Sequence, residues 1–194
     1  SSSNITFTDS GQSLFGSSDS RDVSLGDVDD DGDLDAFVVN RYMNEPNKVW
    51  VNDGSGTFTD SGQSLGSSNS FGVSLDDVDD DGDLDAFVAN YVEPNKVWVN
   101  DGSGNFTDSG QSLGSSKSVG VELGDVDDDG DLDAFVANSV NQGNKVWVND
   151  GSGNFTDSGQ SLGSLRSVDV SLGDVDDDGD LDAFVANSVN QGNK

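Results

Sequence analysis

Apolar residues along this chain come in short groups, and within most groups they alternate with polar ones. In "VSLGDV" (residues 23–28), Val23 and Leu25 alternate against polar neighbours. "DAFVVN" (35–40) is rich in β-formers, and "KVWVN" (48–52) puts Val49 and Val51 on one face and Trp50 on the other. "TFTDSGQSL" (57–65) follows "DGSG", a strong reversal signal. Period-2 alternation dominates, and no helical stripe runs ten residues. The pattern predicts four short antiparallel strands, A to D, separated by turn chemistry.

The whole pattern then repeats. The nonapeptide "DVDDDGDLD" starts at Asp27, Asp77, Asp125 and Asp174, at spacings of 50, 48 and 49 residues. Four strands in a unit of about 49 residues predict an all-β fold of β-propeller-type blades. A linear β-solenoid is the other architecture, but its turns are usually shorter. The expected organisation is one repeat domain, 1–194. It holds a lone strand D (1–16), blade 1 (17–65), blade 2 (66–113), blade 3 (114–162) and a partial blade 4 (163–194). The sequence stops where strand C of the fourth unit would begin. That fits a piece of a longer array, or an edge completed by another copy of the chain, since an unpaired edge invites strand addition.

Composition changes the picture in one respect. Hydrophobic residues make up only 31% of the chain, which alone would permit disorder, but their β-type grouping argues for thin, loop-rich sheets. Formal net charge is −30, and the four nonapeptides, with six aspartates each, hold 24 of the 38 acidic residues. Such a surface repels nucleic acid and anionic lipid, so the expected partners are cations. There is no cysteine, hence no disulfide or thiolate chemistry. No apolar run reaches 18 residues, so no membrane insertion is expected. The start "SSSNITFTDS" lacks a Met or signal peptide, as a processed or excised chain would.

The nonapeptide itself is either a solvated acidic turn or a cation loop. Calcium takes six to eight oxygen ligands, best supplied on a tightly turning loop. Loop positions 1, 3, 5 and 9 are Asp27, Asp29, Asp31 and Asp35; Gly32 permits the turn, and Asp33 can offer its carbonyl. The other copies place Asp77, Asp79, Asp81, Asp83 and Asp85, then Asp125, Asp127, Asp129, Asp131 and Asp133, then Asp174, Asp176, Asp178, Asp180 and Asp182. A random acidic run would not keep Gly at position 6 and apolar residues at positions 2 and 8 in every copy. The start matches an EF-hand loop, but position 12 is Val38 instead of a bidentate Glu, and strands flank the loop where helices should be. Asp30 and the Asp33 side chain are surplus to this ligand set. Magnesium, which prefers a rigid octahedron and keeps its waters, fits less well than calcium.

A D-x-D-x-D-G-x-x-D loop between two strands resembles the calcium loops of FG-GAP and VCBS-type repeats, found in integrin α-subunit propellers and bacterial surface proteins. Block two carries the name-giving pair, Phe71-Gly72, in "SFGVSL"; the other blocks have Asp22, Gly120 and Asp169 at the glycine position. The resemblance implies about four calcium ions, one per repeat, in loops joining strands A and B. Free calcium is near millimolar only outside cells, so filled loops point to an extracellular or cell-surface location, and binding to the folded form alone predicts calcium-dependent folding.

Other motifs weigh little. "GQSLG" fits the G-x-S-x-G nucleophile elbow, but it leads from strand to strand, and the chain has no His to act as base. Ser13, Ser64, Ser112 and Ser161 are expected to serve the strand D turn. Glu45, Glu93 and Glu122 read as isolated surface charges, and Trp50, Trp98 and Trp147 as packing between blades. Three sequons begin at Asn4, Asn105 and Asn154, on the repeated strand D consensus. No enzymatic activity is expected.

The copies differ in only two places, the D–A connections and the B–C connections. In a propeller both emerge on one face, opposite the loops joining A to B. Ligand sites favour loops on a rigid scaffold, and in integrin-type propellers ligands approach this same variable face. Candidate ligand residues are therefore Arg21, Arg41, Tyr42, Phe71, Tyr91, Lys117 and Arg166. The sequence thus predicts an extracellular calcium-binding repeat protein with a structural or adhesive role. The alternative is a carbohydrate-binding, lectin-like propeller using the variable loops; a glycan or protein ligand is the implied partner.

Overall fold

The computed structural model describes residues 5–14, 19–42, 45–188 and 192–193. Its elements are all β. The first sheet runs β1 (Ser20–Gly26), β2 (Asp35–Asn40), β3 (Lys48–Asn52), β4 (Phe58–Asp60) in that spatial order. The second repeats this with β5 (Ser70–Asp76), β6 (Asp85–Asn90), β7 (Lys96–Asn100) and β8 (Phe106–Asp108). The third does so with β9 (Ser118–Gly124), β10 (Asp133–Asn138), β11 (Lys145–Asn149) and β12 (Phe155–Asp157). A two-stranded sheet, β13 (Ser167–Gly173) and β14 (Asp182–Asn187), follows. All pairings are antiparallel, with the same shift in register at the start of each first strand, as between Ser20 and Asp22. No described residue lies in a helix long and apolar enough to cross a membrane.

Blades stack in chain order through their faces. The first strands pack in succession, β1 on β5, β5 on β9 and β9 on β13, and no comparable packing joins β13 to β1. The row is propeller-like but not closed. Between blades 1 and 2, Val28, Phe37, Val39, Val49 and Leu65 meet Val73, Ala86, Val88, Trp98 and Phe106. The equivalent side chains join blades 2 and 3, and a smaller set joins blades 3 and 4. Because strand residues alternate between faces, each blade offers one apolar face forward and one backward. Trp98 and Trp147 lie in these interfaces, as packing predicted. The glycine of the Phe71-Gly72 pair belongs to the same contact: a Cβ there would come within 2.9 Å of the Gly120 backbone.

Strand D is shorter than the pattern suggested. Only three residues pair, and Leu65, Leu113 and Leu162 then make isolated bridges to Asn47, Asn95 and Asn144. Residues 5–14 form no strand. They dock through Gln12, whose side chain donates to the Gly56 carbonyl (2.6 Å) and accepts from the Phe58 amide (2.9 Å). Gln63 holds Gly104 and Phe106 in the next blade the same way, and Gln111 holds Gly153 and Phe155. In "GQSLG" the working side chain is therefore the glutamine, as a clamp between blades.

Candidate metal centres and the rim cavity

Each nonapeptide turns back on itself with its carboxylates inside. Asp27 accepts from the Asp31 and Gly32 amides, at 3.1 and 2.9 Å, and Asp31 accepts from the Asp33 amide at 3.0 Å. Gly32 bends at φ 93°, in the left-handed region that glycine favours. Asp30 is also left-handed, at φ 62°, as are Asp80, Asp128 and Asp177. Asp is among the few residues that tolerate this conformation, so the fourth loop position, surplus as a ligand, helps to shape the turn.

Asp35 anchors the far end. It is fully buried; one carboxylate oxygen accepts from the Val28 amide (3.1 Å) and the other from the Asn52 amide on β3 (2.8 Å). Asp85 and Asp133 are held identically, by Val78 and Asn100 and by Val126 and Asn149. The result is a convergent triad: carboxylate oxygens of Asp27, Asp29 and Asp35 all lie within 4.8 Å of one another. So do those of Asp77, Asp79 and Asp85, of Asp125, Asp127 and Asp133, and of Asp174, Asp176 and Asp182.

Positions 5 and 7 of the loop stand outside these triads. Asp31, Asp81, Asp129 and Asp178 point an oxygen at the amide two residues on. Asp33, Asp83 and Asp131 lie against Gly54, Gly102 and Gly151 of their own blade's "NDGSG" turn. Asp83 also feels the charge of Asp30 in the preceding loop, as Asp131 feels Asp80 and Asp180 feels Asp128. Adjacent loops thus crowd negative charge across the blade junction.

Two features test whether the triads suit a cation. The Oδ1 atoms of Asp29 and Asp79 are buried with no hydrogen-bond partner, a costly state for a carboxylate unless a positive charge meets it. Burial, then neighbouring carboxylates, push Asp29 and Asp79 up from the ordinary carboxylate value. Burial outweighs two backbone hydrogen bonds and pushes Asp85 up to about 7; Asp133 moves the same way. Only oxygen donors are present, the ligand type hard cations take. Each triad can hold a metal ion and is compatible with calcium.

The second structural finding was not legible in the motif. The "NDGSG" turns of the second and third blades lie over the loops of the first and second. Gly104 is buried against Asp29 and Val28, and Gly153 against Asp79 and Val78. Asn100 donates to the Val28 carbonyl and Asn149 to the Val78 carbonyl, both at 2.8 Å. The unpartnered oxygens of Asp29 and Asp79 lie under these roofs. Over the loops at 125–133 and 174–182 no such turn stands among the described residues, and Asp127 and Asp176 are exposed.

On the opposite side, six of the seven candidate ligand residues line one cavity of about 580 Å³: Arg21, Arg41, Tyr42, Phe71, Tyr91 and Arg166. The Lys117 ammonium stands 5.8 Å from the centre of the Tyr91 ring. An asparagine pair pins each B–C loop there: Asn40 accepts from the Ser20 hydroxyl, donates to the Pro46 carbonyl, and its amide donates to Asn47. Glu93 is no isolated charge, since it accepts from the Asn69 amide in the same rim. Glu122 is half-buried and raised by burial and by Asp169 and Asp22. Asn105 and Asn154 donate to Asp101 and Asp150 within their turns; Asn4 lies outside the described residues.

The model of the FG-GAP-like repeat matches residues 77–136 and 125–185, which together span more than half of the chain. The chain belongs to the FG-GAP-like repeat family. No curated protein matches it.

Proposed function

We propose that this chain is a non-catalytic, extracellular repeat scaffold whose blades are stapled by calcium, one ion per nonapeptide, in a structural or adhesive role. The observation that carries the reading is the buried, unpartnered carboxylate oxygen of Asp29 and of Asp79 inside a three-carboxylate cluster. Asp27, Asp29 and Asp35 and their counterparts would hold the ion, which supplies positive charge where the folded chain concentrates negative charge. Free calcium near the millimolar range, as found outside cells, keeps such loops filled. A ligand that binds only the folded form stabilises it by about 2.7 kcal/mol per site at a hundredfold excess over Kd. Thermal melting with calcium and with excess chelator tests this; an unchanged melting temperature refutes it, and magnesium restoring the full shift would replace calcium as the ion.

Contact between copies belongs to the same reading. Among the described residues β14 pairs only with β13, and Phe184 stands exposed on that sheet. Sedimentation with and without calcium decides the point, and a strict monomer in both removes it.

A further inference from the structure

The basic side chains of this acidic chain fall into two groups. Lys48, Lys96 and Lys145 each pair with an aspartate on the neighbouring strand, Asp60, Asp108 and Asp157, at 3.0 to 3.2 Å. Arg21, Arg41, Lys117 and Arg166 gather at the rim cavity; Lys194 lies outside the described residues. In a molecule of net charge −30, this gathers four of the eight basic side chains at one place, with Asp19 and Glu93 beside them.

Aromatic rings share that place. Phe71 and Tyr91 stack with centres 5.0 Å apart and planes 26° from parallel. The Arg21 guanidinium lies 4.7 Å from the centre of the Phe71 ring, and that of Arg41 lies 4.7 Å from the centre of the Tyr42 ring. Arg41 also meets Asp19 at 3.1 Å, which fixes it and offsets part of its charge. Backbone bonds from the Arg41 amide to Asp19 and from the Tyr91 amide to Asn69, both 2.9 Å, set the rim in advance.

The rim is also where the repeat symmetry ends. At the position six residues before each loop stand Arg21, Phe71, Val119 and Val168; fourteen after stand Arg41, Tyr91, Ser139 and Ser188. Four near-identical blades thus present one unsymmetrical site. Its volume lies in the range of small-ligand sites, roughly 300–1,000 Å³.

We propose that this cavity binds an acidic saccharide. Its carboxylate or sulfate meets Arg21 and its neighbouring cations, and a sugar ring lies flat on the exposed Tyr42 ring. Guanidinium groups match the planar, two-oxygen geometry of such anions. A flat, exposed aromatic face such as that of Tyr42 suits the C–H face of a pyranose better than an acidic peptide side chain. The proposal is independent of the metal reading, because it is tested on calcium-saturated protein of verified melting temperature.

The experiment is calorimetric titration with trigalacturonate, a sulfated galactose trimer, neutral galactotriose and hexaglutamate. At least one acidic trimer is expected to bind about tenfold or more tighter than galactotriose, the worth of one charge-assisted contact; the tighter of the two names the anion. Arg21→Gln is expected to weaken it about tenfold without moving the melting temperature, and Tyr42→Ala about threefold. If Arg21→Gln does not fold, Tyr42→Ala, at an exposed position, decides alone. Equal binding of neutral and acidic trimers, no binding of either acid, or hexaglutamate binding as tightly overturns the proposal. So does acid binding untouched by the substitutions, which would mean bridging through loop-bound calcium.

Discussion

The same nine residues stand at 77–85 and at 174–182, yet they form two different sites. In the first, Val78 is 2% exposed, Asp85 is fully buried, and Asp79 keeps an unpartnered oxygen beneath the Gly153 turn of the next blade. In the second, Val175 is 73% exposed and Asp174 and Asp176 face solvent, although the internal loop hydrogen bonds are the same. The loop sequence therefore fixes the turn, while the following blade supplies the desolvation. A roofed loop has carboxylates that need a cation; an unroofed loop has carboxylates that water can serve.

Substitutions at the roof should separate the two kinds of site most strongly. Gly104→Val puts a branched side chain at φ 70° against Asp29 and Val28. It is expected to cost about 2–4 kcal/mol, from backbone strain plus overpacking. Gly56→Val at φ 83°, with nothing within reach of its Cβ, should cost only the strain, roughly 1–2 kcal/mol. Equal losses in chemical denaturation would deny the roof its role.

Next in size is the anchoring carboxylate. Asp85→Asn turns one accepting oxygen into a donor facing a buried amide, at about 2–3 kcal/mol. Asp182→Asn, in a site open to water where one amide bond from Val175 is made, should cost about 1 kcal/mol or less. Denaturation midpoints in chelator compare them without a metal contribution.

The comparison also has a pH dependence. Asp85 is raised in the folded chain from 3.8 to about 7. In chelated protein its contribution to stability is fully present below about pH 4 and is lost as pH rises through about 7. On the proposed reading calcium takes the ionised form, so its stabilising effect should grow across that window. Melting curves between pH 5 and 7.5 should fall with pH in chelator and not in calcium. Parallel curves would contradict the assignment.

The smallest effect concerns the clamps. Gln111→Ala removes two hydrogen bonds to the next blade, worth about 1–2 kcal/mol. Gln160→Ala, at a position with no such clamp among the described residues, should change stability by less than about 0.5 kcal/mol.

Much of this was legible in the sequence. Period-2 alternation and the 49-residue repeat carried the four-stranded blades, and Gly32 with its aspartates marked a turning carboxylate loop. The variable connections led to the residues that now line the rim cavity. What stayed hidden depends on neighbours. Asp29 and Asp31 look equal in "DVDDDGDLD", but only Asp29 joins the triad, because Asp31 turns back to its own chain. The left-handed Asp30 could have been suspected, since Asp tolerates that conformation. Nothing in the local pattern told that Gln63 reaches Gly104 or that Gly104 covers Asp29; those contacts join residues 41 or more apart in the chain.

The central claim is that the "NDGSG" turn of a following blade, where it is present, completes the metal site beneath it. Calorimetric titration of calcium into metal-free protein near pH 7 tests it most directly. The account predicts two classes of site, the tighter being the loops at 27–35 and 77–85. Asp79→Asn should remove one tight site, and Asp176→Asn one weak site. Four equivalent sites, or tight binding lost with Asp176 and kept without Asp79, would contradict it.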